Sequence, residues 1–147
     1  MLATLFLLVP FIVMPTTIDK LALILVRARR QLVARSHGKQ VFFTPGGKRE
    51  AGESDTQALL RECKEELTVD LIPETIKPYG TFSAQAFGKA EGTVVRMLCY
   101  SADYEGTLTP NEEVAQLEWI QSDFPDEKLT KTGRMILEDL KKKDLID

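Results

Sequence analysis

Residues 47–69 (GKREAGESDTQALLRECKEELTV) constrain this chain more than any other segment. Apolar residues recur there with helical spacing, which predicts a helix over residues 54–67. Its last turns contain Glu62, Glu65 and Glu66, which we call the glutamate face. The carboxyl end of a helix carries partial negative charge that disfavours carboxylates, and such departures from local preference are typical of functional sites. The segment therefore predicts a ligand site on a helix.

Helical geometry places the glutamate face within roughly 100° of arc. Leu60, Cys63 and Leu67 fall on the opposite side and are expected to face a core. Like charges so close together repel each other, so the arrangement is favourable only around a cation. Carboxylate oxygens are preferred ligands of hard divalent cations. We therefore expect Mg²⁺ as the cofactor, with Mn²⁺ as a substitute.

Arg61 directly precedes the glutamate face, and Glu53 lies eight positions earlier on the loop before the helix. An ion pair between Arg61 and Glu53 would tie this loop to the helix. We therefore expect both residues to contribute to the site.

The spacing of these fixed residue types resembles the signature of the Nudix hydrolases. The matching positions are Gly47, Glu53, Arg61, Glu62, Glu65 and Glu66. The segment Pro45-Gly46-Gly47-Lys48 is also similar to the family. An isolated string of helical charges is more often a solvated surface with ion pairs. The complete pattern together with the glycine-rich segment favours the functional interpretation.

Two positions depart from the family pattern. Cys63 stands where a larger aliphatic residue is usual, and we interpret it as a small buried hydrophobe. Thr68 stands where the family has glycine. Glycine suits a left-handed backbone conformation at this position, and the same conformation would strain a β-branched residue by about 1–2 kcal/mol. We therefore expect the turn after the helix to take another shape, which affects the placement of Val69 more than that of the glutamates.

Hydrophobic patterns along the chain predict an α/β protein. Strands are predicted at residues 20–26, 31–34, 76–87, 93–104 and 117–120, with residues 41–43 leading into the glycine-rich segment. A second helix is predicted at 130–143 with Ile136, Leu137 and Leu140 inward. Two helices that cover opposite faces of a mixed central sheet give an α/β/α sandwich. The resemblance implies the same fold.

Length and charge limit the remaining possibilities. A chain of 147 residues corresponds to one domain, and a net charge of -3 argues against a broad nucleic-acid surface. The two cysteines, Cys63 and Cys99, fall on a predicted helix and a predicted strand, where buried reduced thiols are expected. Reduced thiols favour a cytoplasmic location.

The first residues are unusually apolar. Residues 2–14 form an apolar run that is broken by Pro10 and has no Lys or Arg before it. A membrane-spanning helix needs about 20 apolar residues, and a secretory signal has a positively charged start. Our leading hypothesis is therefore a true start at Met14, with residues 1–17 as an extension of a domain at 18–147. A weak membrane anchor is the alternative, although a membrane is not an expected partner.

The resemblance also implies an activity and a ligand set. The family hydrolyses a nucleoside diphosphate linked to another group, with water attacking one phosphorus. By position, Glu62, Glu65 and Glu66 bind Mg²⁺, and Glu62 can accept the proton of the attacking water. The Gly46 carbonyl is expected to be a further metal ligand, because glycine lets the backbone approach a metal closely.

The family often adds a carboxylate from a distant loop. Glu113 is the first choice and Glu112 the second, against the alternative of an exposed loop charge with no role.

Three residues are expected to bind substrate. Arg27 ends the first predicted strand and is expected to contact a phosphate, and Lys48 extends the glycine-rich segment. Phe42 or Phe43 could stack on a base, although an aromatic residue in a strand is more often part of the core.

The expected reaction is hydrolysis of a nucleoside triphosphate, normal or oxidised, to a monophosphate and pyrophosphate. ADP-ribose or another nucleotide sugar is the alternative small-molecule substrate. A binding module that recognises a nucleotide without cleaving it is the alternative of another class. Loss of a glutamate from the family signature, which we call the box, would indicate such a module. No box glutamate is lost here. The sequence does not determine the oligomeric state, and a homodimer is one possibility.

Overall fold

The computed structural model describes residues 3–8, 10 and 16–147. Residues 3–8 and 10 have no regular secondary structure. Met14 lies outside the described residues, so a start at this position stays a prediction. Among the helices of the described ranges, none is long and apolar enough to cross a membrane.

The described part of the chain forms ten strands and two α-helices. The strands are β1 (Thr17–Ile24), β2 (Val26–Arg27), β3 (Arg30–Ser36), β4 (Phe42–Phe43), β5 (Gly46–Gly47), β6 (Asp70–Leu71), β7 (Lys77–Gln85), β8 (Val94–Ser101), β9 (Tyr104–Glu105) and β10 (Val114–Ile120). The helices are α1 (Asp55–Leu67) and α2 (Lys131–Lys142), and short 3₁₀ turns occur at Pro73–Thr75 and Asp126–Lys128.

The main sheet is mixed, as the sequence predicts. Its strand order is β5-β1-β8-β7, in which β1 and β8 are parallel and the other pairs antiparallel. A second sheet has the order β10-β3-β2, with β4 paired to β3, and all these pairs are antiparallel. Strands β6 and β9 form a separate small ladder.

Strand β1 separates two cores, because successive side chains of a strand point to opposite faces. Ala22 and Ile24 belong to the core that includes the inward side of α2. Leu21 and Leu23 belong to the core that includes the apolar side of α1. The two helices therefore cover opposite faces of the sheet, which confirms the α/β/α sandwich.

Both helices begin close to their predicted starts. Ser54 caps α1, accepting a hydrogen bond from the Gln57 amide while the Gln57 side chain accepts one from the Ser54 amide. Thr130 caps the start of α2, where its hydroxyl accepts a hydrogen bond from the Gly133 amide. The predicted inward residues of α2, Ile136, Leu137 and Leu140, are fully buried.

The end of α1 differs from the expectation. Thr68 does adopt the left-handed conformation, with φ 63° and ψ 25°, so the expected change of turn shape is wrong. Its hydroxyl donates a hydrogen bond of 2.9 Å to the Thr109 carbonyl, which offsets part of the strain. Val69 consequently follows as a buried core residue.

The burial of α1 also differs from the helical-wheel expectation. Leu60 is only half-buried, whereas Ala58 and Leu59 are fully buried. Cys63 is buried as expected, and neither it nor Cys99 forms a disulfide. The buried side of the helix is therefore rotated toward residues that the sequence analysis assigned to neither face.

Strand boundaries shift near the glycine-rich segment. Strand β1 starts at Thr17 and ends at Ile24, so both of its ends lie earlier in the sequence than predicted. Val26 lies in β2 and is exposed. The pair Gly46–Gly47 forms an unpredicted edge strand, β5, in which Ala22 is opposite Gly46. This pairing fixes the glycine-rich segment beside the middle of the sheet.

Candidate active site

A cavity of about 700 Å³ lies beside the mixed sheet. Its walls are formed by residues of β1, β4, β5, α1, the β7–β8 hairpin, the segment before β10 and the start of α2. The site is therefore assembled from segments that are far apart in sequence.

Three carboxylates meet in this cavity. Glu62, Glu66 and Glu113, which we call the carboxylate cluster, each place one oxygen within 4.8 Å of the others. Glu62 and Glu66 are buried, with 9% and 2% of their surface exposed. Both lie opposite the predicted core side of the helix, and they are buried because the glycine-rich segment and the Glu113 loop cover them.

Backbone hydrogen bonds bring Glu113 to the helix. The Asn111 amide donates to the Glu66 carbonyl at 3.1 Å, and the His37 amide donates to the Glu113 carbonyl at 3.0 Å. Because the last carbonyls of a helix lack intrahelical donors, the loop both caps α1 and carries Glu113 into the cavity. Glu112 lies next to it in the loop but outside the carboxylate cluster.

Gly46 of β5 is required by a backbone contact, and Gly47 lies directly against the Glu62 side chain. A Cβ atom on Gly46 would lie 1.8 Å from the Leu21 carbonyl oxygen, and one on Gly47 would lie 2.4 Å from the Glu62 carboxyl carbon. The Gly46 amide, in turn, lies 3.4 Å from a carboxylate oxygen of Glu66 and donates to it. Glycine therefore allows the backbone to approach the carboxylates directly.

Burial and, to a smaller extent, the charges of Glu62 and Glu113 together raise the pKa of Glu66 to about 9, against the lowering effect of the Gly46 amide. The ionised form of Glu66 is therefore unfavourable unless positive charge enters the cluster. Three carboxylates at this spacing are a suitable donor set for a hard divalent cation.

Arg61 holds the neighbouring acids in place. Its Nε and Nη2 atoms donate to the two carboxylate oxygens of Glu53, both at 2.8 Å, so the predicted ion pair is present as a bidentate contact. These hydrogen bonds hold the pKa of Glu53 at about 2, with help from the Glu50 amide. Nη2 also donates to the Lys48 carbonyl at 2.9 Å, which ties the glycine-rich segment to α1.

The same guanidinium separates the roles of two glutamates. Nη1 donates to Glu62 at 2.9 Å and to Glu65 at 3.3 Å. Glu65 is half-buried and points to Arg61, and it is not part of the carboxylate cluster. The third carboxylate that accompanies Glu62 and Glu66 in the cluster is therefore that of Glu113 and not that of Glu65.

Lysines line the same cavity. Among the described residues they are Lys20, Lys39, Lys48, Lys89 and Lys131. Burial lowers the pKa of Lys20, with a further lowering by the Lys48 charge, while Glu66 and Glu113 raise it. A cavity that combines carboxylates with several ammonium groups suits a ligand of high negative charge bound together with a cation.

The family profile described as NUDIX domain matches residues 11–140. The chain belongs to the Nudix family. The match begins inside the segment that the sequence analysis assigned to an N-terminal extension. No curated protein matches this sequence.

Solved structures share the fold. The E. coli ORF135 protein is 25% identical, with 86% of this chain and 91% of that chain covered and a TM-score of 0.66. A MutT NUDIX hydrolase from Burkholderia pseudomallei is 23% identical, with 84% and 97% covered and a TM-score of 0.69. The E. coli dihydroneopterin triphosphate pyrophosphohydrolase is 19% identical, with 82% and 92% covered and a TM-score of 0.64.

Membership of the Nudix family makes this chain a hydrolase that acts on phosphoric anhydrides. Nudix enzymes act on small-molecule nucleotides and generally use a divalent metal. Two members of the carboxylate cluster, Glu62 and Glu66, belong to the family signature, and the cluster could hold such a metal.

Two of the predicted substrate residues lie elsewhere. Arg27 does not line the cavity, because its guanidinium lies 4.9 Å from the Trp119 ring centroid and donates to the Tyr104 hydroxyl. Phe42 is buried in the core against Phe124. Its neighbour Phe43 lines the cavity instead, since adjacent side chains of a strand face opposite ways.

Lys48 lines the cavity as predicted, whereas Lys20 was missed. Lys20 lies at the start of an apolar run, and this run predicts a buried strand without assigning a role to the lysine. A lone lysine that opens an apolar strand is the signal that could have identified it, because an ammonium group that loses part of its water needs a negatively charged partner.

Proposed function

We propose that this Nudix hydrolase is a Mg²⁺-dependent pyrophosphohydrolase that cleaves a nucleoside triphosphate, normal or oxidised, to a monophosphate and pyrophosphate. The observation that carries the proposal is the convergence of the carboxylate cluster and several lysines in one cavity.

The donor set supports Mg²⁺ as the cofactor. Glu62, Glu66 and Glu113 would hold it through carboxylate oxygens, and the Gly46 carbonyl is proposed as a further ligand. Mn²⁺ can substitute because it has the same preference for oxygen ligands. Glu65 would act as a ligand only after leaving Arg61, and we propose that it orients Arg61 instead.

The lysines support a triphosphate. A nucleoside triphosphate carries more negative charge than a diphosphate linked to a sugar, and each cavity lysine adds an ammonium group that can bind a phosphate oxygen. Apolar side chains that line the same cavity can accept a nucleobase: Ile18, Val41, Phe43, Val95 and Met97. We therefore favour the triphosphate over ADP-ribose or a nucleotide sugar.

The chain's own groups account for the proton and for positioning. The Glu62 carboxylate accepts a proton from the attacking water. The water oxygen forms a bond to one phosphorus. The bond between that phosphorus and the bridging oxygen breaks, and its electron pair stays on the bridging oxygen. Arg61 orients Glu62 through the 2.9 Å hydrogen bond. Bound divalent cations supply the positive charge that stabilises the phosphate oxygens as negative charge accumulates.

A substrate panel tests this function. Purified protein is incubated with normal and oxidised nucleoside triphosphates, ADP-ribose and a nucleotide sugar, with Mg²⁺ or with excess EDTA. We expect Mg²⁺-dependent release of pyrophosphate from triphosphates. Faster cleavage of ADP-ribose or the nucleotide sugar would replace the proposed substrate, and nucleotide binding without cleavage would support the non-catalytic module.

A cytoplasmic location and a homodimer stay predictions. Cell fractionation tests the first, and size-exclusion chromatography with light scattering tests the second.

A further inference from the structure

The Gln85 side chain hydrogen-bonds to the backbone of the turn between β7 and β8. The Gln85 amide nitrogen donates to the Ala90 carbonyl at 2.8 Å and to the Lys89 carbonyl at 3.3 Å. The Gln85 amide oxygen accepts from the Gly92 amide at 3.1 Å. Gln85 thereby satisfies three backbone groups of a turn that also has backbone hydrogen bonds from Lys89 to Ala86 and from Thr93 to Ala90.

Four residues of this turn, at positions 86–89, line the cavity, and two of them have large side chains. Phe87 and Lys89 both line it, although Phe87 keeps 66% of its surface exposed. An aromatic ring exposed at the rim of a cavity gains free energy when a flat apolar group covers it. Phe43 lines the same cavity from β4, so a base bound there has more than one aromatic neighbour available.

The turn is also a charged element. Lys89 is exposed and belongs to the set of cavity lysines. One turn therefore presents an aromatic ring and an ammonium group to the same space, as a nucleotide requires of its binding site: a surface for the base and positive charge for the phosphates.

We propose that the turn of residues 86–92 is a nucleotide clamp, in which Phe87 stacks on the nucleobase, Lys89 binds the phosphates and Gln85 is a positioning residue for both. This inference rests on the proposed function, and it adds a base-recognition element that the carboxylate cluster does not contain.

Kinetics with and without a base test the clamp. The variants are Phe87→Ala and, as a control, Met135→Ala on α2, where Met135 is 38% exposed and lies outside the cavity. We expect Phe87→Ala to raise KM for the nucleoside triphosphate about tenfold, as loss of one base–aromatic contact does. Inhibition by inorganic tripolyphosphate, which has no base, should change less than twofold. Lys89→Ala should weaken both ligands.

A double-mutant cycle tests the role of Gln85. Gln85→Ala should raise KM in the wild-type background but add little when Phe87 and Lys89 are both already alanine, because it acts by placing these two side chains. Gln85→Glu keeps the acceptor for the Gly92 amide and loses the donor, so its KM should lie between those of wild type and Gln85→Ala. A purely structural residue would instead have additive effects and would also lower kcat.

The outcomes separate this inference from the function on which it rests. An unchanged KM for Phe87→Ala, in an enzyme whose wild type cleaves the triphosphate, would overturn the clamp alone. Equal weakening of tripolyphosphate and nucleotide by Phe87→Ala would also overturn base stacking. A wild type that neither binds nor cleaves any triphosphate would remove the proposed function and the clamp together.

Discussion

Glu66 has 2% of its surface exposed and lies within reach of two other carboxylates. Its ordinary pKa is 4.5, and burial together with the charges of Glu62 and Glu113 raises it to about 9 in the folded protein without metal. The folded state thus binds this proton more tightly than the unfolded state. Ionised Glu66 therefore destabilises the metal-free fold progressively as the pH rises from about 4.5 to about 9.

Glu66→Gln removes that titration. In EDTA, we expect the free energy of unfolding of the variant to exceed that of wild type by an amount that grows with pH across this window, and that is smallest below about pH 4.5. Urea denaturation at several pH values measures it, with Glu138→Gln on the exposed side of α2 as the control. A difference that stays constant with pH would contradict the raised pKa.

Arg61 links three glutamates and the backbone of the glycine-rich segment. Arg61→Lys keeps the charge but loses the bidentate fork to Glu53, so the loop and Glu62 lose their orientation. We expect turnover to fall at least tenfold for Arg61→Lys and further for Arg61→Ala, with the free energy of unfolding lowered by about 1–2 kcal/mol. Steady-state kinetics and thermal melts measure both. Loss of folding in Arg61→Lys would show that the residue is structural.

At the scale of elements, α1 depends on both of its ends. Ser54 and Gln57 form a reciprocal cap at its start. Ser54→Ala should lower the free energy of unfolding by about 1 kcal/mol, because one helix amide loses its acceptor. Thr56→Ala, an exposed substitution in the first turn, is the control and should not destabilise the protein. Urea unfolding compares them, and equal stabilities of the two variants would argue against the cap.

The sequence was sufficient for the position of this helix and for the inward residues of α2, because apolar spacing follows helix geometry. It could not show that Glu62 and Glu66 are buried, since the covering comes from Gly46–Gly47 and from a loop more than forty residues later. Strand β5 was missed because two glycines carry no hydrophobic pattern. Arg27 was misplaced for a related reason: strand β1 ends at Ile24, so Arg27 lies in β2 near Trp119.

At the scale of the whole molecule, the carboxylate cluster joins α1 to the loop before β10, with β5 packed against both Glu62 and Glu66. A cation that binds this cluster binds the folded state and not the unfolded chain. Binding at about 100 times the dissociation constant stabilises a fold by roughly 2.7 kcal/mol.

We therefore expect Mg²⁺ or Mn²⁺ to raise the thermal midpoint by about 5–10 °C for a chain of this size. Glu113→Gln should reduce that shift, because it removes one carboxylate from the cluster, whereas Glu112→Gln should keep it. Thermal melts with metal and with EDTA compare the variants. An equal shift in wild type and Glu113→Gln would show that Glu113 is not a metal ligand.

The central claim is that the carboxylate cluster is the catalytic metal site. Its most direct test compares the kcat of wild type and Glu66→Gln on the best substrate of the panel at saturating Mg²⁺. We predict a loss of at least about 100-fold, or roughly 2.7 kcal/mol of barrier, because the variant keeps the size of the side chain and removes its charge. Equal rates for the two proteins would contradict the claim and place catalysis elsewhere in the molecule.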